Sequence, residues 1–445
     1  MAQSAGAQTL EEAFATAYAS NPTLIAARAE LRSIDENVPI ARSGMRPDVF
    51  VNATVGATRT SINGEPEGSS TEPRSVDVTA NQVLYDGGRT RNSVDSAVSN
   101  VDAARSSLVD TEQSVLLDVV TSYMNVRRDQ QFVVLAKNNV RLIAEQLQAA
   151  EDRFEVGEVT RTDVSQARAR LAESEAGLAI AEGDLARSFQ AYARIVGTPP
   201  GQLAPEPPLP PLPETLAEAV QEAMDGHPAI RAARFVEEAA RSDIATAQGV
   251  LLPTVTLSGS ASYGEDQSST ITNGVSSVSV QVVASIPLYQ GGAAYAGVRQ
   301  AQAVQSQRMS EIHETTRFIR EAAENAWTDL QTARITIRAA RQQVSAAELA
   351  FEGVREEAKL GARTTLDVLD AETELLDART DLVAALRDEY VAAFALLSSI
   401  GRLTVGQLDV DVSPYEPAVN YGDVNERFFG FERDELTVWK TPVSP

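Results

Sequence analysis

The acidic residues whose spacing most invites a functional reading are Asp367 and Asp370, in the stretch KLGARTTLDVLDAETELLDART (359–380). Side chains three apart share a helix face, so the two carboxylates repel by about 0.2–0.5 kcal/mol in a lone helix. Such a pair concentrates negative charge, with Arg363 a few residues upstream. A second stretch, EVGEVTRTDVSQARARLAESEA (155–176), repeats the turn at an offset of 204 residues. Gly157 answers Gly361, Thr160 answers Thr364, Asp163 answers Asp367 and Val164 answers Val368. Only the later copy has Asp370 (Gln166 in the first) and Arg363 (Val159 in the first). Thr160 and Thr364 are N-cap candidates, and an aspartate three residues on faces the positive end of a helix. Capping accounts for Asp163 and Asp367 at least in part. It leaves Asp370 unexplained.

Composition removes most catalytic alternatives. The 445 residues include no cysteine and only two histidines, His227 and His313, far apart in sequence. There is therefore no disulfide framework, thiol nucleophile or thiolate metal site. No phosphate-binding loop, metal-ligand spacing or activated nucleophile appears, so neither an enzyme nor a cofactor is expected. A net charge of −24 argues against a nucleic-acid partner. Aromatic residues are only 5% of the chain, which suits long, closely packed helices. No apolar run reaches the 18 residues of a membrane-spanning helix. His227 precedes Pro228 where the first copy has Asn21, and a cap or turn role is expected for it. His313 reads as a helix-surface residue.

The repeat extends far beyond the turn. NPTLIAAR (21–28) matches HPAIRAAR (227–234), Pro47 matches Pro253, and LYDGG (84–88) matches LYQGG (288–292). Two structural repeats are expected, 9–197 and 215–401, joined by a proline-rich extended linker over 198–214. Residues 402–445, including Trp439, read as an irregular tail packed on the outside. Each repeat begins with a capping-box pattern, Thr9-x-x-Glu12 or Thr215-x-x-Glu218. A helix over about 10–40 follows in the first repeat. Alternating residues then predict β-hairpins over about 48–85 and 254–287. Long helices follow over about 89–154 and 293–357, then the tip turns, then helices over about 160–196 and 364–400. Val119, Val126, Val133, Val140, Leu147 and Phe154 stand seven apart, as do Leu330, Ile337, Val344 and Phe351. A strict heptad predicts helices supercoiled on neighbours. Each long helix should reach about 100 Å at 1.5 Å per residue, flanked along its length by two shorter helices end to end.

Each strand is about 10 residues long, enough to cross a bilayer when tilted. Four strands do not close a barrel, and lipid tolerates no open sheet edge. If the hairpins lie in a membrane, chains must pool them, and three chains give twelve strands around a lumen. The hydroxyl-rich faces would then line water and the Val/Leu/Ala faces would meet lipid. The alternative is a soluble coiled-coil scaffold with a small β-module at one end.

These stretches resemble the TolC family of outer-membrane channels. The likeness rests on NPTLIAAR/HPAIRAAR, LYDGG/LYQGG, FEVGEVTRTDV, the GTPPGQL linker and above all LGARTTLDVLDAETELLDAR, and covers about residues 9–401. The resemblance implies a mainly α fold: a long α-helical barrel through the periplasm and a transmembrane β-barrel shared by a homotrimer. It places the chain in the outer membrane of a Gram-negative bacterium, in contact with lipid. It implies a passive exit duct working with a periplasmic adaptor and an inner-membrane ABC or proton-driven transporter. Type I protein secretion and multidrug efflux both remain open, with the LDVLDAETELLDAR stretch most similar to the secretion branch. By the same resemblance, Asp367 and Asp370 match carboxylates that ring the periplasmic aperture. Asp163 and Arg363 match a latch that holds the closed state. Where the family often adds a tyrosine to the latch this chain has Ala358, and Glu158, Arg161 and Glu357 are the residues placed to compensate. The tip turns, with Val156, Gly157, Glu158, Val159, Leu360, Gly361 and Ala362, form the expected adaptor-docking surface.

Overall fold

The computed structural model describes residues 7–60, 69–267, 273–425, 427 and 430. Trp439 and the tail from 431 onward lie outside the described residues, as does the 61–68 segment of the first hairpin loop. Two helices dominate: α4 (Arg89–Glu155) and α8 (Ala293–Lys359), each of 67 residues. At 1.5 Å per residue each spans about 100 Å. Both start from a glycine in the left-handed region, Gly88 at φ 80° and Gly292 at φ 83°. Each turns back at the far end into a shorter helix, α5 (Arg161–Val196) or α9 (Thr365–Ser399). The two hairpins also meet each other, α9 lying against α4 and α5.

The other half of each long helix is flanked by segments that precede it in the chain. The single helix expected over 10–40 is three: α1 (Leu10–Ser20), α2 (Pro22–Asp35) and α3 (Asn37–Ser43). Its counterpart is α6 (Leu216–Gly226) followed by α7 (Pro228–Gly249). Proline causes the first break in both places. It disfavours helical geometry in the residue before it, and Asn21 and His227 are extended, with ψ of 124° and 128°. Proline is then well placed at the first position of the next helix, where its missing N–H costs nothing. The heptad positions Val119, Val126 and Val133 are buried, as are Leu330, Ile337 and Phe351. Phe154, the last of the series, is 45% exposed.

At the end opposite the tip lies one antiparallel sheet in the order β1-β4-β5-β6. Its strands are β1 (Asp48–Val55), β4 (Arg74–Tyr85), β5 (Thr254–Glu265) and β6 (Val275–Ser285). A short ribbon of β2 (Thr58–Thr60) and β3 (Ser69–Thr71) extends the first hairpin. Val51 lies opposite Val78, Val78 opposite Ala261, and Ala261 opposite Val278, so one face is apolar across all four strands. The other face is mostly polar, with Phe50 opposite Thr79 and Val83 and Val283 on either side of Thr256 the apolar exceptions near its helix-facing end. Asn52 donates to Asp77 at 2.9 Å, and the hydroxyl pairs Ser260–Ser279 and Ser262–Ser277 lie at 2.8 and 2.9 Å. Neither face of the edge strands packs on the helices: Val51, Val278 and Val280 on the apolar face are 66%, 80% and 75% exposed, and β1 and β6 are exposed along their whole length. The outer edges of β1 and β6 have no strand beside them among the described residues.

Between sheet and tip, the main core gathers α1, α4, α6, α8 and the ends of α5 and α9. Here the linker is pinned: the buried Tyr123 hydroxyl donates to the Ala204 carbonyl at 2.8 Å and Tyr390 to that of Pro207 at 3.1 Å. The tail is not wholly irregular. Residues Pro417–Asn425 form α10, tied to α2 by Asn420 donating to Asp35 at 2.7 Å.

Candidate functional site

The tip consists of the α4–α5 and α8–α9 turns. Each long helix closes on a left-handed glycine, Gly157 at φ 81° and Gly361 at φ 77°. The following amide reaches back over the last turn, Glu158 N–H to Arg153 at 2.9 Å and Ala362 N–H to Glu357 at 3.0 Å. This is a Schellman closure, and only glycine adopts that φ without strain. Thr160 and Thr364 then cap α5 and α9. The Asp163 amide donates to Thr160 Oγ1 at 3.3 Å and that of Asp367 to Thr364 Oγ1 at 3.2 Å. Each aspartate returns the bond, accepting from the threonine backbone at 2.8 and 2.9 Å. These bonds, led by the Thr364 amide, hold the Asp367 carboxyl below the usual range.

The two candidate ring carboxylates therefore have different partners. Asp367 is turned into its own cap. Asp370, one turn on, accepts from Arg170 of α5 at 2.9 Å, joining the two hairpins. The candidate latch residues Asp163 and Arg363 line one cleft at the tip. In the single chain Asp163 serves the Thr160 cap, and Arg363 Nε donates to Glu357 at 2.9 Å. Ala358 is buried against α9 among Phe351, Val368 and Leu375. Of the docking candidates, Val156 and Leu360 are 72% and 86% exposed, apolar and at the extreme end of the molecule. Gly157, Glu158, Gly361 and Ala362 are exposed beside them, and Val159 is half-buried.

Arg170 was absent from the candidates read from sequence, although a signal existed. Its position 204 residues on is Glu374, just as that of Gln166 is Asp370. Charges of opposite sign that occur in only one copy each are the two ends of this bridge. Among the described residues no group of three His, Asp or Glu side chains is placed to hold a metal ion. No helix there is long and apolar enough to cross a membrane.

The family model described as outer membrane efflux protein matches this chain twice, over residues 14–198 and 219–402. The chain belongs to the outer membrane efflux protein family. Outer membrane efflux protein BepC of Brucella suis biovar 1 is 36% identical over 428 residues, covering 96% of this chain and 93% of BepC. Outer membrane protein TolC of Vibrio cholerae is 26% identical, covering 89% of this chain and 92% of TolC. The solved outer-membrane channel OprN has the same fold, with a TM-score of 0.75 at 23% identity over 88% of this chain and 89% of OprN. As a TolC-family efflux protein, the chain is an outer-membrane protein, and its relatives are channels rather than enzymes. The helical tip is the end of the molecule farthest from the sheet.

Proposed function

We propose that the chain is one third of a passive exit duct through the outer membrane and across the periplasm. One observation carries this: a four-stranded sheet with an apolar and a hydroxyl-lined face, exposed on both, with both edges unpaired among the described residues. Such edges cannot remain open in lipid. Three copies close the sheet into twelve strands, with the Ser/Asn/Asp face inward. The separate family matches over 14–198 and 219–402 support two structural repeats, 9–197 and 215–401, that arose by duplication.

At the tip, the three-fold axis gathers Asp367 and Asp370 from each copy into a ring of six carboxylates. In the closed state Asp370 is tied to Arg170, and the Arg363 latch runs through Glu357 as well as towards Asp163. The exposed Val156, Leu360 and their neighbours receive the adaptor, behind which stands an inner-membrane ABC or proton-driven transporter. The name of BepC supports efflux as the export mode, and the LDVLDAETELLDAR stretch supports type I secretion. Conductance of Asp370→Ala trimers in a planar bilayer tests the ring. The expected result is lower cation selectivity together with a wider resting aperture, since the Arg170 tie is also cut. Unchanged selectivity and unchanged conductance would refute the ring.

A further inference from the structure

Two turns into α9, eight residues past the Thr364 cap and about 12 Å along the helix axis, Glu372 is 4% exposed. Among the described residues neither of its carboxyl oxygens has a hydrogen-bond partner. It belongs to both buried stripes of α9. Leu369, three residues earlier, packs with Ile143 and Ala150 of α4, and Leu375, three residues later, packs with Ala347 and Phe351 of α8. The adjoining cleft, of about 420 Å³, is bounded by Asn139 and Leu142 of α4 and by Phe351 and Arg355 of α8. A buried carboxylate without partners is strongly disfavoured in its charged form. Burial first, and Glu145 of α4 second, push this carboxyl up to about 7.

The surrounding cations are committed elsewhere. Arg141 of α4 holds Glu145 at 2.8 Å, and Arg379 of α9 holds Glu348 of α8 at 2.7 Å. Arg170 of α5 is divided between Asp370 and Glu173, at 2.9 and 3.0 Å. Glu352 of α8 adds further negative charge at the cleft. Arg355 is the loosely held exception. It lies 5.8 Å from the centroid of the Phe351 ring and 3.9 Å from its exposed neighbour Glu356. The other hairpin shows what Arg355 can reach. There Arg168 of α5 and Glu151 of α4 make a bridge of 2.8 Å. Their positions 204 residues on are Glu372 and Arg355, with the charges exchanged. The same cross-section of the second hairpin thus carries the parts of a bridge that is not made.

We propose that Glu372 is a proton-operated lock between the two helical hairpins, sealed against α4 when neutral and drawn to Arg355 of α8 when ionised. Leaving the seat removes a buried anion from the α4–α9 contact and completes the bridge inside the α8–α9 hairpin. The second hairpin then becomes a more self-contained unit, less firmly held to the first near the tip. The lock acts within one chain and does not require the export reading; a pH-dependent aperture is its consequence where three chains form a duct.

The chain has no cysteine of its own, so spin labels at Ala144→Cys on α4 and Glu374→Cys on α9 report the contact alone. In the full chain in detergent, the label separation should be short at pH 5 and widen by a few ångström between pH 6 and 8. With Glu372→Gln added it should stay short throughout. Arg355→Gln, which removes the second home, should move the widening to higher pH. A separation unchanged from pH 5 to 9 would overturn the lock, as would widening that persists in Glu372→Gln. An unshifted midpoint in Arg355→Gln would overturn the role of Arg355. Conductance is not read, so loss of the trimeric duct and loss of the lock give different results.

Discussion

Asn21 and His227 do the same work with different chemistry. Asn21 Oδ1 accepts from the Thr23 amide at 2.9 Å and His227 Nδ1 from the Ala229 amide at 3.2 Å, each capping the helix that begins at the next proline. Only the histidine titrates. It is 5% exposed, and burial holds its pKa below the usual value, outweighing Asp110 and the Ser398 carbonyl, which act the other way. The folded chain therefore binds fewer protons than the unfolded one as pH falls below about 6.5, so stability declines on acidification. His227→Asn keeps the cap and removes that loss. Thermal unfolding in detergent should show equal melting temperatures at pH 8 and a more stable variant at pH 5. Caps of this kind were legible in sequence because donor and acceptor lie two or three residues apart, as in Thr160–Asp163 and Thr364–Asp367. The Arg170–Asp370 bridge was not, because it joins residues 200 apart and depends on how one hairpin lies on the other. Glu372 escaped notice for the same reason: its burial is a property of three helices, and nothing in its local sequence marks it.

Among the elements, periodicity told most. Period two gave the strands and their apolar and polar faces, and the seven-residue spacing of Val119, Val126 and Val133 gave the buried seam of α4. The helix before the hairpin is shorter than the expected 10–40: Pro22 ends α1 ahead of it, and Leu24, Leu31 and Val38 keep their seven-residue spacing across the junction of α2 and α3. Burial follows the spacing of side chains, and continuity follows the backbone. All three residues are buried, although Leu24 and Leu31 belong to α2 and Val38 to α3. The sheet allows a sharp contrast. Val280 and Ser279 are neighbours on β6 but point to opposite faces. Arginine on the lipid face near the bilayer midplane costs about 2–4 kcal/mol. If the apolar face meets lipid as proposed, Val280→Arg should lose about that much in denaturant unfolding from lipid vesicles, whereas Ser279→Arg, on the face proposed to line water, should lose much less.

For the whole molecule, the trimer proposed above accounts for several unusual features at once, because in it the chain is completed by other copies. Among the described residues it leaves two sheet edges unpaired and both sheet faces exposed. Large apolar side chains also stand exposed along the long helices, among them Phe318, Ile335 and Leu349 at 66%, 58% and 73%. A lone globular protein would bury these groups, since open edges and apolar patches invite association. The proposed association of three copies accounts for them together with the long, aromatic-poor helices and the two-faced sheet. Native mass spectrometry of the protein extracted by detergent from outer membranes tests this most directly. The mass expected is that of three 47.6 kDa chains, held together until the detergent is stripped away. A single 47.6 kDa chain, folded and stable in buffer without detergent, would contradict it.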